Sequence, residues 1–286
     1  MEKSDNKGLI SVHLAVLLFG VVGLFAKLVE LPAVIIVLWR VIFSSAFLWC
    51  FLFFRKQRIR LLCRKDYGLM IGAGVILAVH WTSYMQAIQS STVAVGILAF
   101  STFPLFVTFM EPLLFHEKLR GFDLACAVGM LLGVLLIVPE FKLGNSMTQG
   151  VLWGILSAFT YAVLSLMNRR FTATYQAAVV SFYEQVSASV VLLPTMFVLK
   201  PAMTGKDYAV LLVLGVVFTA LAHSLFINGL RTVRVQTAGI ISGLESVYGI
   251  LSALIFLGEI PGVREIAGGI VILGVAFLST VKSGKA

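Results

Sequence analysis

The sequence predicts an all-α membrane protein of ten transmembrane helices, arranged as two five-helix inverted repeats. Three observations predict it. Hydrophobic residues make up 59% of the 286 residues and charged residues only 12%, against the ~25% charged residues of an ordinary soluble domain. The apolar residues gather into runs close to the ~20 that a helix needs to cross a bilayer. Non-greasy motifs of the first half return in the second at a nearly constant offset.

The predicted spans are Gly8–Ala26, Ala33–Phe54, Tyr67–Ile88, Thr92–Phe115, Leu124–Val138, Gly150–Met167, Ala177–Leu199, Tyr208–Leu230, Gln236–Leu257 and Ile266–Val281. The first begins behind Lys3 and Lys7, has no small-residue cleavage site, and is closed by Lys27 and Glu30, so it reads as a retained span rather than a signal peptide. The fifth and tenth are short. The connections leave no room for an extramembrane domain, and short connections make neighbouring helices antiparallel. The runs lack the two-residue alternation of a barrel strand. In lipid, backbone polar groups must be bonded within the segment, which selects helices.

Basic residues set the orientation. With the N-terminus cytoplasmic, sixteen of the 22 Lys and Arg fall on the inside, including Arg55, Lys56, Arg58, Arg60, Arg64 and Lys65 of one connection. Five fall outside, and Arg40 lies within a span. This is the positive-inside asymmetry, and it puts both termini in the cytoplasm of a cell (inner) membrane protein. The net charge of +9 comes in such clusters between apolar runs, not in a basic stripe interleaved with aromatics as a nucleic-acid groove would need. Cys50, Cys63 and Cys126 are odd in number and widely spaced, which argues against a disulfide framework or a zinc site.

Lys65-Asp66-Tyr67 returns as Lys206-Asp207-Tyr208, and Gly74-Val75 as Gly215-Val216, at an offset of 141. Glu117 matches Glu259 at 142, and Leu132-Gly133-Val134 matches Leu273-Gly274-Val275 at 141. The expected repeats are residues 1–140 and 149–286. Five spans per repeat is an odd number, so the second copy enters from the opposite face. Such inverted repeats underlie many secondary transporters, with a site near the midplane exposed alternately to the two sides.

Several motifs carry a family resemblance. Gly20 and Arg40 sit in a "WG…R" pattern with Phe19 in place of Trp. Tyr84-Met85-Gln86-Ala87-Ile88 is followed by Pro104 and Glu117. Asn228-Gly229-Leu230-Arg231 is followed by Leu244-Glu245-Ser246-Val247 and Gly258-Glu259, with Ser246 where Pro is usual. In these features the chain resembles the EamA-like family of the drug/metabolite transporter superfamily. The resemblance covers nearly the whole chain and implies carriage of amino acids, nucleosides, drugs or other metabolites, often outward.

Charged groups within a bilayer cost about 2.5–3.5 kcal/mol on insertion scales and need a reason. Arg40 lies roughly 10 Å into the second span, Glu184 at a similar depth in the seventh from the other face, and Glu245 near the middle of the ninth. Glu111 lies near the cytoplasmic end of the fourth. Arg40 and Glu245 are closest in depth, so they are expected either to border one central cavity or to form a structural ion pair. His80 and His223 occupy nearly matching places and could exchange protons near neutral pH or simply pack. Trp81, Tyr84, Tyr161, Tyr183 and Tyr248 could wall an organic substrate or belong to ordinary packing. The pairs Gly68/Gly72, Gly129/Gly133 and Gly150/Gly154, with Gly20 and Gly23, are expected at close helix approaches. Glu117 and Glu259 are expected to cap the helices that follow them.

The leading expectation is a secondary transporter, an exporter of small organic metabolites such as amino acids that works by alternating access around a midplane cavity, with a small-molecule substrate, lipid contacts, a role for protons open, no cofactor, and a monomer or homodimer. The alternative is a flippase for lipids or lipid-linked sugars, for which the basic 55–65 connection could attract headgroups. HExxH, GxSxG, a Walker loop and a paired-Asp motif are all absent, which argues against an enzyme. Nothing resembles a selectivity filter, which argues against a channel.

Overall fold

The computed structural model describes residues 2–115, 121–137, 142, 144–233 and 235–283, and the side chains of these except 2–6, 111–115, 123, 236, 240 and 279–283. The helices are α1 (Glu2–Leu28), α2 (Ala33–Phe54), α3 (Arg64–Ser90), α4 (Val93–Phe100), α5 (Phe103–Phe115), α6 (Gly121–Ile137) and α7 (Ser146–Thr172). There follow α8 (Ala177–Leu192), α9 (Pro194–Leu199), α10 (Gly205–Gly215), a π-helical turn (Val216–Leu221), α11 (Ala222–Gly229), α12 (Val235–Leu257) and α13 (Val263–Ser283). No strand occurs among the described residues. Eight helical segments among these residues are long and apolar enough to cross a membrane, and Leu124–Ile137 is a shorter apolar helix.

Three predicted spans are interrupted. Pro104 has no N–H for the carbonyl four residues back, so helix stops at Phe100 and restarts at Phe103, where proline is tolerated in the first turn. Pro194 separates α8 from α9 in the same way. The third interruption is the π-helical turn, where the Thr219 hydroxyl donates to Leu214 O at 2.7 Å. Helix starts are marked by side chains that accept free N–H groups. Thr92 Oγ1 accepts from Val95 (3.0 Å), and Asn145 Oδ1 from Met147 (2.9 Å). Thr204 and Asp207 form a reciprocal capping box ahead of α10.

Helices cross closely where glycines remove the Cβ. Gly74 of α3 rests on α8, where a Cβ would meet Ser187 Cβ at 2.4 Å, Glu184 O at 2.5 Å and Ala188 N at 3.2 Å. Gly215 of α10 rests on α2, where a Cβ would meet Phe43 Cβ at 2.8 Å, Arg40 O at 2.8 Å and Ser44 N at 3.3 Å. The two lists match atom for atom if positions in α2 are advanced by 144. The same advance carries Trp39 to Tyr183. Trp39 meets Tyr208 edge to face at 4.8 Å, and Tyr183 meets Tyr67 edge to face at 5.7 Å. Gly20 of α1 similarly meets Glu245 O and Tyr248 Cβ of α12, while Gly154 of α7 meets Gly96 O and Ala99 Cβ of α4. Gly133 and Gly268 face each other between α6 and α13, each against the other's carbonyl oxygen.

Some expectations are corrected here. A Cβ added at Gly68 or Gly72 would meet no atom of another helix within 4 Å among the described residues, so these are not packing glycines. Gly274, the sequence match of Gly133, likewise meets nothing, and the contact partner of Gly133 is Gly268. Glu259 does not cap the helix after it. Gly258, at φ +66°, turns the chain back, and the Glu259 carboxylate accepts the Val93 N–H of α4 at 3.0 and 3.2 Å. The start of α13 is served by Glu265, which accepts from Gly262 N and from the Thr92 hydroxyl. Glu117 and the Glu111 side chain lie outside the described residues.

Two outcomes test this packing. Gly74→Ala should lower the stability of the detergent-solubilised protein by about 1–3 kcal/mol through overpacking. Gly72→Ala should stay within about 0.5 kcal/mol of the parent; equal Tm values for the two variants would contradict the assignment. Glu259 is half-buried, and burial raises its carboxyl above the ordinary carboxylate range against the pull of Val93 N–H and Lys27. The folded carboxyl therefore holds its proton to higher pH than the unfolded one, so stability falls as pH rises from the ordinary range through the raised value. Tm should rise on acidification across that window, less steeply in Glu259→Gln. An unchanged slope in the variant would exclude Glu259 as its source.

Candidate functional site

A cavity lies where α1, α2, α3, α4, α7, α11 and α12 converge. It is lined by Phe19, Val22, Arg40, His80, Trp81, Tyr84, Phe100, Tyr161, His223 and Glu245, and holds about 380 Å³ of space between atoms, part of it continuous with the outside. Arg40 reaches it because Gly215 allows α10 to close on the backbone of α2, bringing the π-helical turn beside the guanidinium. Arg40 is 1% exposed, and its Nε donates to Thr219 Oγ1 at 3.0 Å. The guanidinium carbon sits 4.1 Å from the centroid of the Trp81 ring, a cation–π seat. Among the described residues Arg40 Nη1 has no hydrogen-bond partner.

Glu245 lies on α12, at the place where Gly20 lets α1 approach. It is 5% exposed, and the Tyr84 hydroxyl donates to its Oε1 at 2.8 Å. Its described bond is thus to a phenol, and that of Arg40 is to a threonine. The two expected partners border one cavity, as one of the two sequence readings has it, and the direct structural ion pair of the other is not made.

His80 and His223 have different surroundings. His80 Nδ1 is 2.9 Å from Ser157 Oγ and 3.0 Å from Ser157 O, and its ring stacks on Tyr161 at 4.7 Å. His223 Nε2 is 2.8 Å from Glu184 Oε2, and its ring meets Trp81 edge to face at 5.2 Å. Glu184 itself stands behind His223, outside the lining.

Seven predicted residues therefore meet at one place: Arg40, His80, Trp81, Tyr84, Tyr161, His223 and Glu245. Tyr183 does not. Its hydroxyl donates to Ile59 O at 3.2 Å, and with Tyr67 and Tyr175 it fastens the basic 55–65 connection. Tyr175 also donates to Asp66. Tyr248 packs its Cβ against Gly20 and is not among the lining residues. Sequence reasoning missed Phe19, Val22 and Phe100, whose apolar character gives no signal in a greasy run, and the supporting hydroxyls of Ser157 and Thr219.

Chemically, the cavity offers an unbonded cationic N–H, a carboxylate with one oxygen engaged, and aromatic walls. That set suits binding and release of a small charged or bipolar solute. Among the described residues there is no group of three or more His, Cys, Asp or Glu that could hold a metal ion. Tyr84→Phe leaves the buried Glu245 Oε1 without its phenolic donor. It should lower stability by about 1–3 kcal/mol with helix content unchanged; a Tm equal to the parent's would show that the bond contributes nothing.

The model of the EamA-like transporter family matches residues 6–138 and 148–281. The chain is 26% identical over 287 residues to the pseudopaline exporter CntI of Pseudomonas aeruginosa, covering 98% of each chain. It is 21% identical over 291 residues to a Bacillus subtilis protein named as uncharacterized transporter YxxF, covering 100% of this chain and 93% of that one. It is 24% identical over 299 residues to a Salmonella typhimurium protein named as uncharacterized inner membrane transporter YicL, covering 99% and 98%. A solved crystal structure shares the fold with a TM-score of 0.71 at 17% identity, over 100% of this chain and 99% of the other.

Proposed function

The chain belongs to the EamA-like transporter family, and on that footing we propose that it exports small organic metabolites bearing both a positive and a negative group, such as amino acids, by alternating access around the central cavity. A multi-pass membrane transporter is the family's character and that of the named relatives. The observation that carries the finer reading is the cavity itself, where Arg40 presents an unbonded Nη1 and Glu245 a carboxylate, with Trp81, Tyr84 and Tyr161 between. A carboxylate end of the solute would take the arginine, and an ammonium end the glutamate and the aromatic faces.

In this reading α4 with α5, α8 with α9, and α10 with the π-helical turn and α11 are three broken spans. That makes ten, five in residues 1–140 and five in 149–286. The paired contacts of α3 on α8 and α10 on α2 favour two repeats of opposite sense, because equivalent residues then meet equivalent partners across a local two-fold axis. Two such halves can exchange conformations and so expose the cavity to either side in turn. Both termini face the cytoplasm in this reading, which the clustering of Lys and Arg in alternate connections supports. The outward direction is supported by the relative named as an exporter.

Proteoliposomes loaded with a panel of labelled amino acids, nucleosides and organic cations test this. Saturable counterflow of at least one amino acid is expected, reduced tenfold or more in Arg40→Gln and in Glu245→Gln. Flux retained in both variants would move the site elsewhere, and flux that never saturates would point to a channel.

A further inference from the structure

We propose that Glu184 and His223 form a proton-binding site beside the cavity, and that release of its proton is linked to the arrival of a cationic group in the cavity; the linkage rests on the transport reading above. Glu184 is 0% exposed and His223 1%. Glu184 Oε2 lies 2.8 Å from His223 Nε2, and Glu184 Oε1 has no hydrogen-bond partner among the described residues. A carboxylate so placed is far from satisfied by a neutral imidazole alone.

The groups that face the pair can be named from each element packed on it. The α2 helix brings Arg40, α3 brings Trp81 and His80, and the π-helical turn brings Thr219. The α7 helix brings Tyr161, and across the cavity α12 brings Glu245. On α1, His13 is exposed and points away. At the cavity there are thus one arginine and two carboxylates, Glu184 and Glu245. With both carboxyls ionised the set is one positive charge short of neutrality, and a buried carboxylate without compensation is costly. The imidazole beside Glu184 is the place for the missing charge. With the cavity empty, the pair keeps one proton beyond that of a neutral imidazole, as imidazolium with carboxylate or imidazole with carboxylic acid. The pair is then neutral overall.

Glu184 and Arg40 sit at matching positions, since their carbonyl oxygens are the ones that Gly74 and Gly215 approach. Trp81 touches both systems, with its face under Arg40 and its ring meeting that of His223 edge to face. His223 lines the cavity directly. A cationic group entering there supplies the charge that the proton had supplied. The proton then leaves for cavity water, and the site loses one charge as the cargo adds one. By linkage, a bound proton equally opposes the cation. A carrier built so exchanges protons for cationic or bipolar cargo.

Magnetic resonance of protein labelled with 15N-histidine and 13C-glutamate, titrated from pH 5 to 9.5 without substrate, tests the site. The expected result is a one-proton step shared by a histidine and a carboxyl signal, lost from both in Glu184→Gln and in His223→Asn. A wild-type titration without such a step overturns the site whatever the variants do. Arg40→Gln removes the nearby positive charge and should raise the midpoint of the step. Proteoliposomes holding labelled L-lysine test the linkage. Acid outside and alkali inside should speed lysine exit severalfold in wild type and leave Glu184→Gln at its gradient-free rate. Lysine exit indifferent to the gradient in wild type overturns the linkage. Failure of lysine and every other amino acid to move sinks the transport reading and the linkage with it, while the titration separately decides the proton site.

Discussion

Close approach of helices across glycine is the constraint on which the rest of the structure depends. A bilayer supplies no hydrophobic drive for one apolar helix to prefer another over lipid, so association rests on tight packing and internal polar bonds. Gly74 and Gly215 let α3 and α10 settle on the backbones of α8 and α2. Those two backbones carry Glu184 and Arg40. From them the guanidinium meets Thr219 and Trp81, and the carboxylate meets His223. Packing and polar chemistry are therefore one arrangement seen from two sides.

The polar centre follows from that arrangement. Three of the ionisable groups there are held by a neutral donor, acceptor or ring: Arg40 by threonine and indole, Glu245 by phenol, His80 by serine. Such partners fix geometry without cancelling charge. The cavity keeps electrostatic capacity for a guest, which a directly paired arginine and glutamate would have spent on each other.

Much of this was legible in the sequence, for a physical reason. A charge or imidazole in an apolar run is so unfavourable in lipid that its mere presence marks an interior position, which is how Arg40, His80, His223 and Glu245 could be picked out. Tyrosines carry no such penalty. Tyr84, Tyr161, Tyr183 and Tyr248 look alike in the sequence, yet the structure puts two on the cavity, one on the 55–65 connection and one against Gly20. Glycine spacing misleads in the same way, since Gly68 and Gly72 have the form of a packing motif and face open space. Glu259 was recognisable as a cap, but the helix it caps is distant in the chain, and only the tertiary fold names it.

The π-helical turn had no sequence mark at all. Its geometry is that of a helix carrying one residue more than its ladder needs. A surplus of that kind is not fixed in place: hydrogen bonds can be handed on one by one, so that the wide turn travels along the rod like a ruck along a carpet. Each step swings the side chains it passes by about 100°. Were the ruck to leave Val216–Leu221, Thr219 would turn from the guanidinium while both ends of the rod stayed anchored, giving this one segment a way to change what it offers the cavity without moving as a body.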